Sequence, residues 1–309
     1  MAQSSGLIPT ILLTGFLGAG KTTLLNRLID HYQSRRAVLL INEFGQVGID
    51  GALLHRGNYQ KVELNKGSLF CICVRTDFIA EVERIADELQ PDLLVIEATG
   101  LADTSEMERM LALPNLRPRI RLQASICLVD PQNFLKISVY LKAPLSQVRN
   151  ADLVLLNKID RVDEEQLQKT EKKIREIAPD VPIVRTRYAE FDLSLLDRLS
   201  HPTIGEVKEL GDGRPDPVQS LTLEGKGSFS ARDWQQWADA LQPLALRVKG
   251  FVTVDGQSIL VDGTPEQWRQ QARFDRPAGS NQIVVIGRRL PVEELQSGFD
   301  RALENSAAG

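Results

Sequence analysis

A chain of 309 residues, 42% hydrophobic and 25% charged, has the balance of an ordinary globular protein, long enough for one large domain or two smaller ones. Its 37 Lys and Arg against 41 Asp and Glu leave a net charge of −4, which argues against the clustered positive face that nonspecific nucleic-acid binding needs. No apolar run approaches the ~20 residues of a membrane span, Met1 to Gly6 lack a signal-peptide layout, and three cysteines make no disulfide framework. The expectation is a cytoplasmic protein with neither nucleic acid nor membrane as partner.

From residue 8 to about 190, short apolar runs alternate with helical patterns. Strands are expected at Thr10–Thr14, Ala37–Asn42, Asp92–Glu97, Ala124–Asp130, Asp152–Asn157 and Pro182–Arg185. Each is rich in Leu, Ile and Val without polar alternation, as in strands covered on both faces. Helices are expected at Thr22–Tyr32, Phe78–Leu89, Ser105–Leu113 and Asp163–Ile177. The last opens on three acidic residues and stops at Ala178-Pro179, which suits the helix dipole and a proline stop. This alternation predicts an α/β fold, a doubly wound and mostly parallel sheet, over residues 1–200.

Residues 201–218 gather prolines, glycines and charges and read as an exposed linker. A smaller α+β domain is expected over 219–309, with strands Leu221–Leu223, Leu246–Val254, Ser258–Val261 and Gln282–Ile286, and helices Ala231–Leu241 and Pro291–Leu303. Asp255-Gly256 is a two-residue hairpin signal. Trp234 and Trp237, three apart on one helix, read as core; an interface is the other reading.

Gly15-Phe16-Leu17-Gly18-Ala19-Gly20-Lys21-Thr22 has the phosphate-loop spacing, with a buried strand before it and an amphipathic helix after it. Glycines let successive amides wrap phosphates at a helix N-terminus. Gly15, Gly18, Ala19, Gly20, Lys21, Thr22 and Thr23 are therefore the expected triphosphate-binding residues. Lys21 would reach the β- and γ-phosphates and Thr22 would hold Mg²⁺.

Asn157-Lys158-Ile159-Asp160 follows a strand at the sheet's carboxyl edge, where ligands sit. The Asp160 carboxylate can accept from N1 and the 2-amino group of guanine, a donor pair adenine lacks, while Asn157 supports the loop and Lys158 packs over the base. Asp160 as a plain turn former is the alternative. Glu97 ends a strand beside the phosphate loop; it either orients an attacking water or positions Mg²⁺, directly or through water. The Gly100 amide can approach the γ-phosphate. Lys21, Glu97 and Gly100 are the expected catalytic set of a GTPase, slow without a partner because no arginine finger is visible.

Cys71 and Cys73, two apart in a stretch read as an extended loop, point the same way and can offer two thiolates to one soft cation, with Glu43 as a third ligand; small buried hydrophobes are the other reading. Cys127, inside an apolar strand, reads as core.

Gly-Phe-Leu-Gly-Ala-Gly-Lys-Thr-Thr at 15–23, Asn-Glu-Phe-Gly at 42–45, Cys-Ile-Cys at 71–73, Glu-Ala-Thr-Gly-Leu-Ala-Asp at 97–103 and Asn-Lys-Ile-Asp at 157–160 together resemble the CobW-type GTPases. The resemblance extends through the C-terminal domain and implies a GTP-dependent metallochaperone whose cysteine motif binds Zn²⁺ or Co²⁺. It also implies a recipient metalloprotein or cofactor-assembly enzyme; a homo-oligomer is compatible with it. The sequence departs from the family's Gly-Cys-x-Cys-Cys, reading Phe70-Cys71-Ile72-Cys73-Val74, carries Gln46 where many members have glutamate, and has only His201 in the linker. Two thiolates and Glu43 would leave a coordination position open to water or to a recipient. Two rival readings stand beside the carrier: a GTP-gated interaction switch that never holds the ion, and a P-loop small-molecule kinase.

Overall fold

The computed structural model describes residues 6–42, 59–64, 72–202, 219–263, 268–272, 279–287 and 290–307. Two compact units emerge, one ending before Pro217 and the other running from there to the C-terminus.

The first unit runs β1 (Ile8–Gly15), α1 (Lys21–His31), β2 (Ala37–Asn42), β3 (Tyr59–Leu64), α2 (Ile72–Arg84, continued by a π turn Ile85–Leu89), β4 (Leu93–Glu97), α3 (Thr104–Leu111), β5 (Ile120–Val129), α4 (Phe134–Tyr140), α5 (Ala143–Arg149), β6 (Leu153–Asn157), α6 (Glu164–Ile177) and β7 (Ile183–Thr186). Its seven strands lie in the order β3-β2-β4-β1-β5-β6-β7, and every pairing is parallel. The unbroken apolar runs now have their reason. In β1, Ile11 and Leu13 face one core with Leu24, Leu25 and Leu28 of α1, while Leu12 faces another with Phe78 and Val82 of α2. A strand with no wet face has no place for alternating polar residues. Cys127 is buried in a third cluster with α4, α5 and α6, as expected of a core thiol.

The six expected strands and four expected helices of this unit are present with ends shifted by a few residues, and Asp130 falls just beyond its strand. Three elements were not anticipated: β3, α4 and α5. His201, the first residue of the expected exposed linker, instead has its side chain buried; its ring bonds Asp152 and its amide donates to Gln123 O. Residues 203–218 lie outside the described residues.

The second unit contains β8 (Gln219–Lys226), α7 (Ala231–Leu241), β9 (Ala245–Val254), β10 (Gln257–Gly263), β11 (Trp268–Ala272), β12 (Ser280–Gly287) and α8 (Val292–Ala307). The sheet order is β11-β10-β9-β12-β8, all antiparallel. Asp255 and Gly256 turn β9 into β10 with φ of 47° and 75°, the two positive values a type I′ hairpin requires. Trp234 and Trp237 of α7 stack at 5.6 Å and pack with Phe229, Phe299 and the inward side of the sheet, so the pair is core. Trp268, on the unanticipated β11, leans against Trp234 at 6.2 Å.

Candidate nucleotide site

The carboxyl ends of β1, β4 and β6 meet at one edge of the first sheet, and the expected triphosphate and base residues converge there. Gly15 closes β1, and Gly20, with φ of 113°, is the N-cap of α1. Only glycine fits at position 20 on two counts: the positive φ, and a Cβ that would lie 2.5 Å from Nδ2 of Asn157. Lys21 is buried and its Nζ donates to Gly15 O at 2.9 Å, folded back over the loop that would receive phosphate. Thr22 is half-buried and Thr23 exposed on the first turn of α1.

Asn157 ties this loop to the base side. Its Nδ2 donates to Ala19 O at 2.9 Å, and its Oδ1 accepts from Thr186 Oγ1 at 3.1 Å and from the Ala189 amide at 2.9 Å. Lys158, at φ 62°, sends Nζ to Gly18 O at 2.5 Å and to Asp130 Oδ2 at 2.8 Å. Its stem thus spans the gap between the two motifs, where it can cover a purine ring. Asp160 is exposed in a 3₁₀ turn, Ile159–Arg161, with its carboxylate open to solvent.

Glu97 ends β4 and is 4% exposed, and its Oε2 has no hydrogen-bond partner among the described residues. Burial pushes its carboxyl pKa up, and the Lys21 charge pulls it back down only in part. A buried, unpartnered carboxylate oxygen beside the phosphate loop is a fit for Mg²⁺, held directly or through water, with Thr22 as the companion oxygen ligand. Held there by Glu97 and Thr22, Mg²⁺ would supply positive charge against a bound triphosphate. Gly100 lies close against the loop: a Cβ there would sit 2.6 Å from the backbone N of Leu17.

A profile of the CobW/HypB/UreG nucleotide-binding domain matches residues 9–185, and one of the cobalamin synthesis protein cobW C-terminal domain matches 218–303. The chain belongs to the CobW/HypB/UreG family. It is a P-loop GTPase of the CobW type, as its motifs lead one to expect. The zinc chaperone CobW of Pseudomonas aeruginosa is 29% identical, over 96% of this chain and 92% of that protein. The zinc chaperone YeiR of Escherichia coli is 30% identical, over 75% of this chain and 70% of its own length. Among solved structures, Zn(II)-bound YjiA GTPase from E. coli is similar at 24% identity and a TM-score of 0.49, covering 96% of this chain and 99% of that one.

Of the residues expected to hold the transition metal in this CobW-type protein, Glu43 and Cys71 lie outside the described residues. The backbone of Cys73 lies in the first turn of α2, which begins at Ile72 rather than at Phe78, so Cys73 is helical and not in the expected extended loop; its side chain is also outside the described residues. Among the described residues, no group of three or more His, Cys, Asp or Glu could hold a metal ion, and no helix is long and apolar enough to cross a membrane. Sequence reasoning missed three residues that bond the expected nucleotide motifs: Asp130, Thr186 and Ala189. Asp130 had a signal in its place at the end of an expected strand. The others act through backbone groups or a distant side chain, which leaves no mark in spacing.

Proposed function

We propose that this CobW-type GTPase is a metallochaperone that couples its nucleotide state to the binding and delivery of a transition metal, zinc foremost. The observation that carries the nucleotide half of this reading is the Asn157 clamp, by which one buried side chain holds the phosphate loop at Ala19 and the base side at Thr186 and Ala189. Guanine recognition falls to Asp160, with Lys158 over the base; Lys21 meets the β- and γ-phosphates and Gly100 the γ-phosphate through its amide. Glu97 orients the attacking water or the metal that neutralises the phosphates.

In this reading the γ-phosphate contacts hold segment 100–103 in its GTP position, their loss on hydrolysis releases it, and segment 43–50 is the second switch. The cargo reading is supported by the relatives named zinc chaperones, which align over most of the chain. Its ligands are Cys71, Cys73 and Glu43, an incomplete shell suited to handing the ion to a recipient metalloprotein. Co²⁺ is the alternative cargo, since thiolate sites take both ions.

The test is Zn²⁺ and Co²⁺ titration of reduced protein, reading thiolate-to-cobalt absorption and stoichiometry. One ion per chain, lost on Cys71→Ser with Cys73→Ser, is expected. Val74, in place of a third thiol, favours a second reading, a GTP-gated switch that activates a metalloprotein without carrying the ion. Metal binding that survives the double substitution would discard the proposed ligands, and no binding at all would leave the switch.

A further inference from the structure

We infer that Gln147 is a positioning residue for GTP hydrolysis, one that sets the Gly100 loop against the phosphate loop. The inference rests on the reading that residues 97–103 sense the γ-phosphate. Gln147 lies on α5 and is 1% exposed. Its Nε2 donates to Gly100 O at 3.1 Å and to Ala102 O at 3.2 Å. Carbonyl oxygens only accept, so the amide nitrogen must be the atom that faces them. Its own Oε1 is buried with no partner among the described residues.

A side chain that spends both its hydrogens on one loop and leaves its acceptor unpaired is specialised for holding that loop. The neighbouring Ser146 adds a third point, donating from Oγ to Asp103 Oδ1 at 2.6 Å, and Asp103 in turn caps α3 by accepting from the Ser105 amide. Gln147 thereby holds the Gly100–Leu101 peptide at its carbonyl while Leu17 closes on Gly100 Cα, and the two together leave the Gly100 N–H, on the preceding peptide, little room to turn. From α5 the chain enters β6 within a few residues and ends that strand at Asn157. The same helix thus braces the γ-phosphate loop and leads to the base motif.

The experiment uses Gln147→Leu and Gln147→Glu in the full chain, measuring kcat, KM and GDP affinity, with hydrogen exchange over 97–103 in the GDP-bound protein and in the protein bound to a non-hydrolysable GTP analogue. For Gln147→Leu a kcat loss of about tenfold to a hundredfold is expected, with GDP affinity within about twofold of wild type. Gln147→Glu keeps one donor only while its buried carboxyl is protonated. Its kcat should therefore fall more steeply with rising pH than that of wild type, whose own profile already carries the titration of Glu97, and this arm stands even where the leucine variant folds poorly. Equal losses of GDP and GTP-analogue affinity with kcat preserved, or a pH profile identical to wild type, would overturn the inference. Wild-type exchange that is the same in both nucleotide states would instead overturn the γ-phosphate reading itself; a wild-type difference retained unchanged in Gln147→Leu would remove Gln147 alone.

Discussion

Asn157 and Ala19 are joined by a 2.9 Å hydrogen bond between groups 138 residues apart in the chain. The same asparagine accepts from Thr186 and Ala189, so all three of these bonds are buried and converge on one side chain. Replacing it with alanine would strand the Ala19 carbonyl and the Ala189 amide, each costing about 1–3 kcal/mol when buried without a partner. Asn157→Ala is expected to lose about 2–5 kcal/mol in denaturant unfolding and to bind GDP more weakly. Wild-type stability together with wild-type GDP affinity would refute the clamp.

Glu97→Gln keeps the volume of a buried side chain while removing its charge. If the unpartnered oxygen faces Mg²⁺, the concentration of Mg²⁺ needed for half-maximal GTP hydrolysis should rise by about 10- to 100-fold, and the fold should remain. The check is a Mg²⁺ titration of hydrolysis. An unchanged Mg²⁺ requirement at unchanged rate would remove Glu97 from the site.

A second buried carboxyl sets a pH dependence of stability. Glu108 of α3 is 1% exposed and faces His201, with Nε2 at 3.8 Å from its Oε2, and the carboxylates of Asp152 and Asp103. Burial raises its pKa from 4.5 to about 8, against the pull of His201. The folded state therefore holds a proton that the unfolded chain releases, so this contribution is full below about 4.5 and is lost as pH rises toward about 8. His201, which burial pulls down but its bond to Asp152 and that carboxylate's charge raise by more, adds a loss of the same sign above its unfolded value of 6.5. Unfolding free energy should fall between pH 5 and 8, and Glu108→Gln should flatten the part due to the carboxyl. An unchanged pH profile in that variant would assign the dependence elsewhere.

Cys127 is 1% exposed and burial pushes its thiol up to about 12. Thiolate is the reactive form, so in the Cys71→Ser, Cys73→Ser variant no thiol should react with a disulfide reagent at pH 7 until denaturant is added. Rapid native labelling would show that Cys127 is open. The same property keeps it out of any thiolate count in a metal titration.

Much of this was legible in the residues. Strands covered on both faces announce themselves as apolar runs, and the phosphate loop and base motif have fixed spacing, so the first sheet and its ligand edge could be laid out from Ile11, Leu13, Lys21 and Asn157. What escaped was structure whose logic is not local. Tyr59–Leu64 and Trp268–Ala272 are edge strands, each with one neighbour, and their polar residues break the run that marks a central strand. The α4 and α5 helices have seven residues each, too few turns for a helical period to show. Gln147 and Asp130 act on groups far along the chain, and His201 is buried by partners that only the fold supplies.

Reciprocal linkage between nucleotide and metal tests the account most directly. Zn²⁺ affinity would be measured in the presence of Mg²⁺ with a non-hydrolysable GTP analogue and again with GDP, alongside the affinities for the two nucleotides with and without Zn²⁺. The factor by which the analogue rather than GDP changes Zn²⁺ affinity must equal the factor by which Zn²⁺ changes the preference for the analogue over GDP. A GTP-driven carrier predicts factors that differ from one and agree. Equal Zn²⁺ affinity in the two nucleotide states would contradict the coupling on which the proposed function stands.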